Sequence, residues 1–141
     1  MTIKIKKATK DEIADFDIDA WHGEDIKHYG ERVNWVEKEF AFKVIKDEQI
    51  VGTAKGKFEA GVIYLQTIIV SKNHRRKGVG KTLIDKILDW AMPLHAHKII
   101  LFTMPEWDSC KFYESIGFKQ SGTLPNHYLK RDFVIYSKDL S

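Results

Sequence analysis

The segment that most constrains this chain is a strand running directly into a helix. Val62-Ile63-Tyr64-Leu65-Gln66-Thr67-Ile68-Ile69-Val70 is an almost unbroken apolar and β-branched run, the pattern of a central strand. From Val79 to Ala91 the apolar residues recur at helical spacing, with Val79, Leu83, Ile84, Ile87, Leu88 and Ala91 on one face. Between the two lies Arg75-Arg76-Lys77-Gly78-Val79-Gly80. The first amides of a helix lack intrahelical acceptors and carry the positive end of its dipole, so an anion placed there collects several N–H donors. Gly78 and Gly80 let the backbone approach such an anion closely, and Arg75, Arg76, Lys77 and Lys81 add charge. A helix held by its apolar face makes a fixed anion site, and a diphosphate is the ligand this pattern fits best.

Gly80-Lys81-Thr82 is also how a nucleotide-binding P-loop ends. That motif needs its first glycine five residues before Gly80, and the position holds Arg75, whose side chain would fill the phosphate cradle. No later strand ends in a clear magnesium-binding aspartate. An NTP-binding module is therefore the weaker alternative.

The 141 residues are those of one domain, 1–141, with 43% apolar and 30% charged residues, as in an ordinary soluble globule. The start, Met1-Thr2-Ile3-Lys4-Ile5-Lys6, has no apolar run of the signal-peptide kind, and no stretch could span a membrane. The single cysteine, Cys110, permits no internal disulfide, and a cytoplasmic protein is expected. His95-Ala96-His97 is too little for zinc, so no metal is expected. Net charge is +3 but unevenly spread: residues 1–40 carry ten acids and seven Lys/Arg, the remainder ten and sixteen. The basic residues gather at the junction rather than along a helix face, which fits a small polyphosphate better than a nucleic acid.

Ile3-Lys4-Ile5-Lys6 alternates as a strand. Thr9 to Glu12 reads as a capping box opening a helix with Ile13, Phe16 and Ala20 inward, broken at Gly23. A second helix is expected over His28 to Phe40. Ala41 to Ile45 and Ile50 to Lys57 form a hairpin turning at Asp47-Glu48-Gln49. After the Val79 helix come a strand, Lys98 to Thr103, a short helix, Asp108 to Ile116, and two strands, Phe118 to Gly122 and Asp132 to Ser137. The order β-α-α-β-β-β-α-β-α-β-β predicts an α/β (α+β) fold with a mixed sheet.

That order, with Arg-x-x-Gly-x-Gly after the fourth strand and Phe112-Tyr113-Glu114-Ser115-Ile116-Gly117-Phe118 after the fifth, resembles the GNAT superfamily of acetyl-CoA-dependent N-acetyltransferases. Asn126-His127-Tyr128 before Asp132-Phe133-Val134-Ile135-Tyr136 is loosely similar to the ribosomal-protein alanine N-acetyltransferases. The resemblance implies a mostly antiparallel sheet splayed between the fourth and fifth strands, with acetyl-CoA as co-substrate and a primary amine as acceptor. A protein N-terminus, a lysine and a small amine are all open as acceptors, and a homodimer is open as the assembly. The competing class is a non-catalytic acyl-CoA sensor of the same fold.

By the same resemblance the pantetheine arm bonds to backbone groups of Ile68, Ile69 and Val70, as an added strand would. The diphosphate lies on the amides from Arg76 to Lys81, with Arg75, Lys77, Gly78, Val79 and Gly80 in the loop and Thr82 as an extra hydroxyl. Ser109 and Phe112 stand beside the cofactor. Tyr113 matches the tyrosine that protonates the departing thiolate, and a phenol near pKa ~10 keeps its proton at neutral pH. Glu106 stands where many relatives have a cofactor-touching Asn, and Leu101 where the N-terminal acetyltransferases carry a glutamate base. Candidates to take the amine's proton are relayed water, Glu106, His127 and Glu31. The acids Asp15, Asp17, Asp19, Glu24, Asp25 and Glu31 lie on the helices that wall the acceptor site in this family, where they would draw in a cationic amine.

Overall fold

The computed structural model describes residues 2–140. The chain divides into two compact units, Met1–Trp35 and Val36–Ser141.

The first unit is built on α1, Lys10–Tyr29. Thr9 and Glu12 form the expected capping box, with the Thr9 hydroxyl accepting from the Glu12 N–H at 3.2 Å. The helix passes through Gly23 and stops at Gly30 (φ 79°), whose N–H donates to the Ile26 carbonyl. A mid-helix glycine costs only about 1 kcal/mol. The residue that ends the helix is the glycine placed where left-handed backbone is needed. Ile13 and Phe16 are exposed rather than inward. Asp25 is buried and accepts from the Trp35 indole N–H at 2.8 Å, while Trp35 meets Tyr29 edge-on. Residues 2–9 form no strand, and Ile3 and Ile5 are 84% and 94% exposed. Four alternating residues bury too little to hold a strand without a neighbour to pair with.

The second unit carries a six-stranded sheet: β1 Lys38–Lys46, β2 Gln49–Glu59, β3 Val62–Val70, β4 Lys98–Thr103, β5 Lys119–Leu124 and β6 Phe133–Asp139, in spatial order β1-β2-β3-β4-β6-β5. Among the described residues only β3 and β4 run parallel, joined by the crossover helix α2, Val79–Ala91. The short helix α3, Ser109–Ser115, follows β4. The mixed, mostly antiparallel sheet is the one expected. The strand at its start and the helix over 28–40 are absent: residues 31–37 are irregular, and Lys38 to Phe40 belong to β1. Val33, Val36 and Phe40 have helical spacing. Pairing of Lys38 with Phe58 and Phe40 with Gly56 extends the hairpin instead and buries Phe40 in the core. The hairpin turn has left-handed backbone at both Asp47 (φ 51°) and Glu48 (φ 65°), as a two-residue turn matched to strand twist requires.

Leu83, Ile84, Ile87 and Ala91 of α2 are buried against Ala54, Phe58, Ile63, Leu65 and Ile99, and α3 adds Cys110 and Tyr113 to the same core. The opposite side chains of β1, β2 and β3 face away from it. Among the described residues no helix is long and apolar enough to cross a membrane.

Candidate active site

The site is made by a parting of strands. The β3–β4 ladder has three pairs, Val62 with Lys98, Ile63 with Ile99 and Tyr64 with Ile100, and stops there although both strands continue. A cause lies on the other edge of β3. There Lys55 opposes Thr67 and Gly56 opposes Leu65, so Gln66 is an extra, unpaired residue. A bulge of this kind bends a strand and increases its twist, and it falls two residues beyond the last pair with β4. The splay expected between the fourth and fifth strands is this gap. It opens into a cleft of about 800 Å³.

Backbone alternation decides what β3 offers the gap. The Ser71 N–H donates to the Val51 carbonyl of β2 at 2.8 Å. Two residues back, Ile69 therefore also turns its polar groups to β2, while Ile68 and Val70 turn theirs to the gap. The Val70 carbonyl is taken by Arg75 Nε at 3.0 Å. The Val70 N–H and both groups of Ile68 remain. Ile68 and Ile69, two of the three residues expected to bond a ligand through their backbone, line the cleft.

At the end of β3 the junction turns sharply, with left-handed backbone at Arg76 (φ 62°) and Gly78 (φ 85°). Gly78 is the N-cap of α2, has no side chain to accept from the helix amides, and no acid stands in the first turn. Thr82 N–H is the first to bond within the helix, to the Gly78 carbonyl, which leaves the amides of Val79, Gly80 and Lys81 open. The two glycines do different work. Gly78 provides the left-handed turn. At Gly80 a Cβ would lie 3.0 Å from Phe112 Cζ, so that glycine lets α3 dock against the start of α2. Thr82 already donates its hydroxyl to Gly78 O at 2.9 Å, leaving only lone pairs for an anion. Lys81 is paired with Asp85 at 3.0 Å. Arg76 and Lys77 have no ion-pair partner among the described residues.

Across the gap stands Tyr113, 5% exposed, packed against Phe112, Phe118 and Tyr136 at centroid distances of 5.3, 5.5 and 6.2 Å. Its carbonyl accepts from the N–H groups of Ile116 and Phe118, which fixes the end of α3. Tyr113 lines the cleft, and its hydroxyl has no hydrogen-bond partner among the described residues. Burial, with the Cys110 thiol beside it, pushes the phenol up to about 12. The neighbouring Tyr136 is different: its hydroxyl donates to Glu114 Oε1 at 2.7 Å, and that bond raises its pKa further. Ser109 lines the cleft and shares a 3.0 Å hydrogen bond with the buried Thr103.

Neither Glu106 nor His127 lines the cleft, and no other acid of residues 36–140 does. Glu106 is exposed in the turn before α3. His127 is edge-on to the cleft-lining Phe102 and packed by Tyr128 and Phe133, with Nε2 buried and unpaired. Leu101 is buried in the core. Lys43, Lys55, Gln66, Phe102, Thr103 and Trp107 line the cleft without having been singled out as site residues from sequence. For Lys43 and Lys55 the sequence held no signal: a regular hairpin turning at Asp47-Glu48 would put them on opposite faces, and the register shift between Val44 and Ile45 brings both to one face.

The Acetyltransferase (GNAT) family matches residues 8–118, and the chain belongs to it. Among curated proteins it is 36% identical over 86 residues to N-acetylaspartate synthetase of Xenopus tropicalis, covering 59% of this chain and 32% of that protein. It is 32% identical over 84 residues to spermidine N(1)-acetyltransferase of Vibrio cholerae, covering 52% and 49%. The chain thus spans a third to a half of the length of these relatives. A GNAT family acetyltransferase from Elizabethkingia anophelis, solved with acetyl-CoA bound, superposes with a TM-score of 0.65 at 14% identity, over 71% of this chain and 75% of that one. That likeness is one of fold.

Proposed function

We propose that this protein moves an acetyl group from acetyl-CoA to a primary amine by direct attack of the amine on the thioester. The observation that carries this is the gap itself: β3 beyond Tyr64 is unpaired on the side where a buried tyrosine has no hydroxyl partner among the described residues. An extended pantetheine arm supplies the missing strand, bonding to Ile68 and Val70. The diphosphate takes the open amides of Val79, Gly80 and Lys81, with Arg76 and Lys77 beside it. The nitrogen–carbon bond forms, the tetrahedral intermediate collapses, and the carbon–sulfur bond breaks. A phenol near 12 is a weaker acid than a thiol near ~8.5. Tyr113 therefore gives the departing sulfur a hydrogen bond and keeps its own proton, and the thiolate leaves to solvent. With no carboxylate of residues 36–140 on the cleft wall, the amine's proton passes to water.

Tyr113→Phe separates an enzyme from a sensor. Loss of one donor aimed at developing charge lowers turnover about 10²-fold, while calorimetry finds acetyl-CoA affinity unchanged. A wild-type protein that binds acetyl-CoA but releases no thiol with any amine in a broad panel is a sensor. A thermal shift with ATP and magnesium but none with acetyl-CoA removes both readings.

A further inference from the structure

The cleft is bordered by two sheet faces of opposite chemistry. Phe40, Phe42 and Val44 of β1, with Ala54 and Phe58 of β2, face the core that holds α2 and α3. The alternate residues face the other way. Among them Lys43 opposes Thr53 and Lys55 opposes Ala41, so the two lysines hold diagonal positions on one face, about 7–8 Å apart along the backbone. Both line the cleft, and neither has an ion-pair partner among the described residues. Among residues 36–140 no Asp or Glu lines it.

These lysines are not placed for the diphosphate, which is served by the amides at the start of α2 on the core side. They flank the stretch where the thioester would lie: Lys55 opposes Thr67, next to the gap-facing Ile68. Such a wall repels a polycation and attracts an anion. Two fixed positive charges also favour the uncharged form of a nearby amine. A cleft of about 800 Å³, shared with the pantetheine arm, leaves room for a small acceptor.

We infer that the acceptor is a small amine that also carries a carboxylate or phosphate, held by Lys43 and Lys55. This deepens the acetyl-transfer reading and rests on it.

The test is calorimetric titration of matched amines into the full chain saturated with CoA. Glucosamine 6-phosphate is compared with glucosamine, L-alanine with L-alaninamide, and spermidine serves as the polycation. One anionic member should bind about tenfold tighter than its neutral partner, with spermidine weaker than either. Lys43→Gln and Lys55→Gln should each remove most of that advantage, and Lys→Arg at either position should restore it, with CoA affinity unchanged throughout. The pair that shows the preference tells carboxylate from phosphate. Equal binding within both pairs, tightest binding of spermidine, or a fall in CoA affinity in the Lys→Gln variants overturns the inference. Thiol release with the same amines reads the parent proposal separately. Release that favours spermidine keeps acetyl transfer and overturns the anionic acceptor. Lysine-dependent anion binding without release supports the site and overturns the transfer.

Discussion

Replacing Tyr113 by Phe should leave stability at pH 7 nearly unchanged and make it less sensitive to alkali. The hydroxyl has no partner among the described residues, so its removal breaks no hydrogen bond, and the ring packing against Phe118 and Tyr136 survives. In the unfolded chain a tyrosine ionises near ~10; in the fold burial delays this to about 12. Below ~10 both states hold the proton and the contribution does not vary with pH. Between the two values the unfolded state binds fewer protons than the native one, so stability falls as pH rises. At pH 11 the loss is about 1.4 kcal/mol, one tenfold step in the unfolding equilibrium. For a chain of this size that is a fall in Tm of roughly 4 °C. Tyr136 titrates upward as well, but it is present in both proteins and cancels in the comparison. The assay is thermal melting of wild type and Tyr113→Phe at half-unit steps from pH 8 to 11.5. The curves should run parallel to about pH 10, with wild type then losing ground to the variant. Curves parallel throughout would mean that Tyr113 ionises as freely folded as unfolded, and the picture of a buried, proton-retaining donor would fail with it.

Gly56→Ala should destabilise by about 2 kcal/mol or more, read as a lower urea midpoint, because its Cβ would overlap the Tyr64 carbonyl oxygen and the Phe40 ring beside the bulge. Trp35→Phe leaves buried Asp25 without its indole donor and should cost about 1–3 kcal/mol; an unchanged melting curve would show that the pair contributes nothing. Arg76→Ala with Lys77→Ala should raise the KM for acetyl-CoA about tenfold and flatten its dependence on salt, with the KM for the amine unmoved. Glu106→Gln should leave the pH profile of kcat/KM unchanged, since Glu106 is exposed and off the cleft wall; a lost acidic limb would make it the base.

The parts legible in the sequence are those whose burial is decided locally. Val62–Val70 and Val79–Ala91 match their expected bounds because each pattern has one period and strong ends. Lys98–Thr103 does so for the same reason. Residues 28–40 are not legible as they fold, because Val33, Val36 and Phe40 satisfy a helical period that pairing of Lys38 to Phe40 with β2 overrides. Gly23 and Gly30 are alike as letters, and which one ends α1 depends on where left-handed backbone falls. Phe112-Tyr113 marked the face across the gap, but the sequence could not say that Gly80 meets Phe112 rather than a ligand.

The bulge at Gln66 is the least legible feature, because it exists only as a mismatch of register between two strands. It is also the one on which the site depends. Had β2 and β3 paired without interruption, β3 would have had no local cause to bend, and its ladder with β4 could have continued past Tyr64. The backbone groups of Ile68 and Val70 would then be spent on the sheet, and the free hydroxyl of Tyr113 would face a closed wall. Removing one residue from β3 at Gln66 should therefore do two things at once: strengthen the sheet and abolish acetyl-CoA binding. A deletion variant that gains stability yet still binds acetyl-CoA would show that the gap has another origin.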